Sequence, residues 1–295
     1  MVGGFQNKQS ILGRIFAVDF RSLAVFRVSL ASLLLIDLWQ RFAWIEAHYT
    51  DAGIMRRELY AQLKQESWTF SLHLMSGRVE FQVLLFGLAA LCAFCLLLGY
   101  RTKTMTILSW ILLTSLINRN PLIVSSGDSI LRMMLFWGMF VPLGRVFSLD
   151  SQGPSDRQSR HVYSVGTVAV MIQTILVYVF VELRRPLDSA WWDGTALYYV
   201  LSNDTFVRPF GHSLVQFETA LYYLTYIANL IELICPLLML MPFKTNLFRY
   251  CSLPLLFGLH AGMALTLDLG VFPYVSMVSW LIFVPGHLWD NIQAW

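Results

Sequence analysis

Long apolar runs alternate with short polar breaks along the whole chain. The first run covers about 22–42 and carries Arg27 and Asp37 inside it. Others follow at about 79–99, 104–117, 129–147, 161–183, 214–242, 247–267 and 271–289. A helix needs about 20 predominantly apolar residues to cross roughly 30 Å of hydrocarbon. The pattern therefore predicts eight transmembrane helices and an all-α fold class, a polytopic membrane helical bundle formed as a single domain over residues 1–295.

The breaks differ in kind. Residues 100–103 and 242–244 are short turns carrying basic residues, and 149–160 (LDSQGPSDRQSR) is a polar, turn-forming linker. Residues 43–78 and 184–213 are long mixed loops. Within them, about 56–65 and 193–201 have the pattern of helices lying in the membrane interface, as does a short helix capped by Ser10 in the 1–21 tail. That tail lacks the apolar stretch and small-residue site of a cleavable signal, so none is expected.

Basic residues set the expected orientation. The tail and the short connections carry Lys8, Arg14, Arg21, Arg101, Lys103, Arg145, Arg157, Arg160, Lys244 and Arg249, whereas the long loops mix bases with acids. By the positive-inside rule both termini are expected in the cytoplasm. The loops at 43–78, 118–128 and 184–213 then open on the extracytoplasmic side.

Composition strengthens the membrane reading. The chain is 57% hydrophobic, 15% aromatic and 13% charged, against about 25% charged in soluble domains. Membrane lipids are therefore expected partners. A net charge of +3, with no basic stripe interleaved with aromatics, points away from nucleic acid. Cys92, Cys95, Cys235 and Cys251 all lie in apolar runs, which argues against a secreted-type disulfide framework. The Cys92-Ala-Phe-Cys95 spacing reads either as two small hydrophobes on one helical face or as a redox pair.

Charges placed at or inside apolar runs are the candidate chemistry, because each costs roughly 2.5–3.5 kcal/mol at a helix centre on insertion scales. Arg27 and Asp37 are about 15 Å apart along a helix and do not pair with each other. Arg27 either snorkels to the interface or pairs with an acid on another span. In the bend at 118–132, Arg119 and Asn120 supply donors and Pro121 stops a simple helical continuation. Asp128 is a candidate N-cap within i,i+4 reach of Arg132. That bend reads as a capped helix with an ion pair or as a polar ligand pocket.

The 184–213 loop adds Arg184, Arg185, Trp191, Tyr198 and Tyr199, which read as an aromatic membrane belt or as pocket residues. Glu232 and His260 stand deep in apolar runs and form the candidate proton-transfer pair. No metal-ligand spacing, P-loop, nucleophile elbow or dinucleotide fingerprint is present in the sequence.

Several stretches taken in order resemble a known family. They are Asp19-Phe-Arg-Ser-Leu-Ala-Val-Phe-Arg27, Tyr49-Thr-Asp-Ala-Gly53, Gly99-Tyr-Arg-Thr102, Asn118-Arg-Asn-Pro121, Gly127-Asp128, Phe140-Val-Pro-Leu-Gly144, Ser148-Leu-Asp150, Trp191 to Tyr199, His260 and Pro285 to Trp289. Together they are similar to the HTTM membrane domain, a family that includes the vitamin K-dependent gamma-carboxylases and bacterial relatives of the sporulation-delaying-protein B type. The resemblance implies a bacterial protein of the cytoplasmic (inner) membrane. In the carboxylases a lysine just before a Trp-x-x-Gly motif is the base acting on vitamin K hydroquinone. Arg184, Arg185 and Pro186 occupy the matching positions here, and Asn120 stands where the carboxylases carry a histidine. A counterpart of the propeptide-gripping lumenal domain is likewise not expected.

The resemblance thus implies a non-carboxylating protein, with a quinone or lipid as candidate ligand and a secreted peptide as candidate substrate for maturation. Two alternatives stay open. One is a non-catalytic subunit bound to other membrane subunits, and the other is a quinone-dependent enzyme using a different base.

Overall fold

A computed structural model describes residues 10–63, 69–151 and 160–293. Among the described residues, eight helices of nine residues or more carry the fold: α1 (Phe20–Phe42), α2 (Val79–Leu98), α3 (Thr102–Arg119), α4 (Ser126–Gly138), α5 (Val165–Arg184), α6 (Glu218–Leu238), α7 (Thr245–Thr266) and α8 (Phe272–Trp280). They fall on the eight predicted runs. Four of them, α1, α2, α6 and α5 with its continuation to Leu187, are long and apolar enough to cross a membrane.

The other four fall short by length or by polarity. The run expected to be helical over 129–147 ends at Gly138, giving 13 residues, or about 20 Å of helix. Turns and Pro142 follow it, and a proline lacks the N–H that would continue the ladder. The last run breaks similarly. α8 passes into a 3-10 turn at Leu281–Phe283, and after Pro285 a separate helix runs Gly286–Gln293. α3 and α7 are 18 and 22 residues long but interleave Thr, Ser, Asn and a buried Arg or His among their apolar positions.

The chain divides into two compact units, one of Leu23–Arg157 with Asp268–Leu281, the other of Met1–Ser22, Gln158–Leu267 and Ile282–Trp295. In the former, α2 packs on α3, α3 on α4, and α4 on α8. Its core gathers Leu38, Ile45, Tyr49, Leu85, Phe86, Ala89, Cys92, Leu112 and Leu116. Cys92 therefore serves as a small hydrophobe, and both it and Cys95 are free thiols.

Gly99 ends α2 in the left-handed region at φ 70°, where a Cβ would run into the Arg27 guanidinium. Arg27 is fully buried, with Asp150 acting on it electrostatically. It donates to the carbonyls of Leu143 (3.4 Å) and Phe147 (2.5 Å). Asp150 accepts from the Arg101 and Thr102 amides at 2.8 and 2.6 Å and so caps α3. The Thr102 and Arg101 hydrogen bonds hold its carboxyl below the usual carboxylate range against the opposing effect of burial. The predicted interfacial helix at 56–65 is observed as Arg57–Leu63. Residues 64 and 65, like 152–159 of the polar linker and Lys8 of the tail, lie outside the described residues.

In the latter unit, β1 (Val18–Asp19) pairs antiparallel with β2 (His161–Val162), Val18 opposite Val162. Ser10 caps the helix Ile11–Phe16 through the Gly13 amide at 3.1 Å, as its position predicts. α6 packs against both α5 and α7, and each of α6 and α7 contains a proline, Pro236 and Pro254. Between α5 and α6 the chain forms three short helices, Ser189–Trp192, Ala196–Leu201 and Pro209–Leu214.

Candidate ligand cavity and buried ion clusters

Each unit buries its own charge cluster. In the unit of α1 to α4, the hub is Arg41, an arginine not singled out by the run pattern because it lies at the polar end of α1. Its guanidinium donates to Asp37 (2.8 Å), to the Tyr49 hydroxyl (3.1 Å) and to Asp128. Burial pushes the Tyr49 phenol up from its ordinary value, with Arg41 opposing.

Asp128 is not the N-cap of α4. Ser125 is, accepting from the Asp128 amide at 3.2 Å, while the Asp128 carboxylate accepts from the Ser125 amide at 2.7 Å in a capping box. Nor does Asp128 use Arg132. The long reach of Arg41 brings a full charge to a carboxylate that is 0% exposed, whereas Arg132 is half-buried with its Nε unbonded.

Arg119 is fully buried, donates to the Met55 carbonyl at 2.7 Å and lies 3.7 Å from Asp51. Asp51 also holds Arg57 at 2.7 Å, and that hydrogen bond draws its carboxyl below the usual range. Asn120 caps the turn Pro121–Ile123 and donates to the His48 carbonyl at 3.0 Å. His73, 1% exposed, bonds Ser115 Oγ at 2.7 Å; burial, helped by Arg119, pushes its imidazole down to about 4. The bonded donors of this cluster tie loops to helices, while Nε and Nη2 of Arg119 and Nε of Arg132 have no hydrogen-bond partner among the described residues. Of the four bend residues, Asp128 is held by Arg41, Asn120 bonds the His48 carbonyl, and Arg119 meets the Met55 carbonyl and Asp51.

The unit of α5 to α7 differs, because its cluster opens on a cavity of about 530 Å³. One stripe of α5 and its continuation supplies Tyr178, Glu182 and Arg185, spaced four and three residues apart on one helical face. The facing stripe of α6 supplies Asn229 and Glu232, three apart. Arg185 binds Glu182 at 2.5 Å, donates to Asn229 Oδ1 and pairs with Glu232, so one guanidinium holds two carboxylates and an amide.

The Arg185 guanidinium sits over the Trp191 ring, 4.0 Å from ring centroid to Cζ. The indole is placed by Asp188, which caps Ser189–Trp192, and by Tyr226, which donates to the Trp192 carbonyl at 2.6 Å. Gly194 makes the following turn at φ 72°, tight against Tyr222, where a side chain would collide. The remaining cavity wall is apolar, with Leu183, Leu230, Leu233 and Leu237 forming it while also exposed on the outer surface.

The expected pairing of Glu232 with His260 is replaced. Glu232 takes Arg185, and His260 takes Tyr178 through a 2.6 Å bond between Oη and Nε2, the rings stacked at 5.8 Å. Arg185, Trp191 and Glu232 are thus brought together, and His260 reaches the cavity through Tyr178. Arg184 is exposed and outside the cavity wall, and Tyr198 packs edge-on against Tyr199 instead of lining it. Tyr178, Glu182 and Asn229 are cavity residues that the search for isolated charges passed over. Their helical spacing to Arg185 and Glu232 was the available signal.

The HTTM domain model matches residues 16–287. No curated protein and no solved structure matches the chain.

Proposed function

The chain belongs to the HTTM domain family, and from that premise we propose a membrane protein that admits a lipid-soluble ligand of quinone or lipid type into the cavity between α5 and α6. One observation carries the reading. An apolar cavity of about 530 Å³, within the roughly 300–1,000 Å³ range of ligand pockets, ends at a buried ionic cluster and is walled by leucines that also face outward. A ligand dissolved in the bilayer enters past those leucines and brings its polar end to Arg185, Glu232 and Asn229.

Carboxylation is not part of the proposal. Where the carboxylases place a lysine base, Arg184 is exposed, Arg185 is held by two carboxylates and Pro186 has no basic group. A guanidinium stays protonated in proteins and does not accept a proton. The charge pattern of the turns supports cytoplasmic termini and a cavity toward the extracytoplasmic half of a bacterial inner membrane. A secreted peptide as the molecule acted on rests on the family's sporulation-delaying-protein B type relatives.

Native mass spectrometry of the gently extracted protein tests the reading, with Leu233→Trp as the filled-cavity control. A small apolar molecule should accompany the native chain and be lost from Leu233→Trp. A chain that carries tightly bound protein subunits and the same lipids as Leu233→Trp would overturn it in favour of a non-catalytic subunit.

A further inference from the structure

We infer that a second cavity, between the first turn of α3 and the turns that follow α4, binds the phosphate group of a phosphate ester, with Lys103 and Arg145 supplying the positive charge. It lies wholly within the unit of α1 to α4, so it stands or falls independently of the α5–α6 cavity. Its volume is about 280 Å³, just below the roughly 300–1,000 Å³ of small-molecule pockets. That is room for a head group and too little for a whole lipid.

Three of the stretches read in the sequence meet here. Gly99-Tyr-Arg-Thr102 turns the chain from α2 into α3 and sets Lys103 in its first turn. Phe140-Val-Pro-Leu-Gly144 carries the chain past the end of α4 to Arg145, and Ser148-Leu-Asp150 brings it back against α3.

Asp150 is the acid of the cavity wall, and both its oxygens are occupied. Oδ1 accepts from the Arg101 amide at 2.8 Å, and Oδ2 from the Thr102 amide and hydroxyl at 2.6 and 2.7 Å. The hydroxyls of Thr106 and Ser151 are also spent, donating to the carbonyls of Thr102 and Ser148 at 2.7 and 2.8 Å. Recognition therefore falls to the cations. Lys103 and Arg145 line the cavity and are exposed, and Lys103 is in no ion pair among the described residues. With Arg27 also acting on Asp150 electrostatically, positive charge exceeds negative here, which favours an anion. An ammonium with three donors beside a planar guanidinium fork suits the several oxygens of a phosphate.

The surroundings favour a phosphate carried by a lipid. Tyr100, Phe140, Phe147 and Leu149 stand exposed on the same turns. Phe147 does so from the left-handed region at φ 50°, which costs a residue other than glycine roughly 1–3 kcal/mol. Its carbonyl is meanwhile held by Arg27 at 2.5 Å. Exposed aromatic rings around a polar cavity suit the head-group level of a bilayer, where lipid phosphates lie.

The test titrates the full-length protein in a neutral detergent with dioctanoyl phosphatidylglycerol and follows binding by native mass spectrometry. Dioctanoylglycerol, which lacks the phosphate, and inorganic phosphate are the comparison probes. Lys103→Gln combined with Arg145→Gln should weaken phosphatidylglycerol binding about tenfold or more and leave dioctanoylglycerol within about twofold of native. Added salt should weaken binding to the native chain and leave the double variant unaffected. Displacement of the lipid by millimolar inorganic phosphate assigns the site to a free phosphate ester, and lipid binding that survives it assigns the site to the lipid.

Equal affinity of the native chain and the double variant for phosphatidylglycerol overturns the site. So does equal affinity of the native chain for phosphatidylglycerol and dioctanoylglycerol, or a native chain that binds neither phosphatidylglycerol nor inorganic phosphate. Equal thermal unfolding midpoints exclude loss of fold as the cause. Should the double variant unfold, Lys103→Gln alone, with no ion pair to lose, carries the same comparison.

Discussion

Replacing Arg185 by methionine keeps most of the side-chain volume and removes the one cation among Glu182, Asn229 and Glu232. The three charged side chains are only 6%, 13% and 9% exposed, so the carboxylates left behind stay largely out of water. Breaking a buried pair by removing one partner costs about 3–5 kcal/mol, and losing the cation stacked on Trp191 adds roughly 1 kcal/mol. With about 2–4 °C lost per kcal/mol in domains of 150–250 residues, Arg185→Met should lower the thermal midpoint in detergent by on the order of 10 °C. The informative comparison is the triple variant Arg185→Met, Glu182→Gln and Glu232→Gln, which leaves no charge at the site. Because uncharged replacements of a buried ionic cluster are often neutral, it should recover most of the loss. The midpoint would be read from the decay of the monodisperse peak on heating. Equal midpoints for the single and triple variants would refute the reasoning, since the loss would then lie in packing.

Three further outcomes are expected. His73 is neutral when folded, with its value pushed from 6.5 to about 4; the unfolded chain binds the extra proton between these values. Its contribution is therefore complete above pH 6.5 and lost as pH falls toward 4, about 3 kcal/mol in all, and His73→Gln should flatten that part of the stability profile measured against the native chain. Asp128→Ala should cost about 2–3 kcal/mol by leaving Arg41 with Asp37 as its one carboxylate and opening the capping box, whereas Arg132→Ala should cost under about 1 kcal/mol; thermal unfolding separates them. Gly99→Ala should destabilise by about 1–2 kcal/mol from the left-handed backbone alone, and more because the new methyl meets Arg27; a denaturation midpoint within experimental error of native would contradict it.

The helices were legible because apolar runs of this length leave few other solutions, and the starts expected at about 22 and 79 agree closely with Phe20 and Val79, whereas the run expected from 161 begins with the strand His161–Val162 and turns helical at Val165. Their ends were less so. Gly138 closes α4 early because turn-forming residues and Pro142 follow, yet the run itself stays apolar to Phe147. The cavity was half legible. Arg185, Trp191 and Glu232 announce themselves as charges or large rings in apolar surroundings. Tyr178 and Asn229 do not, since a tyrosine or an asparagine in a membrane helix costs too little to stand out. Their membership depends on which face of α5 meets which face of α6. The Asp128–Arg132 expectation failed for a related reason. Local spacing offered a partner one turn away, while the fold delivered Arg41 from 87 residues distant.

Pro236, one turn beyond Glu232 and itself part of the cavity wall, has no N–H to offer the Glu232 carbonyl in the ordinary helical bond. The main chain of α6 thus presents an oxygen beside the same residue whose side chain grips Arg185. It is a fixed dipole that no change of protonation can remove and that no side-chain substitution at position 232 would delete. Pro236→Ala would remove it, by returning that oxygen to the ordinary helical bond.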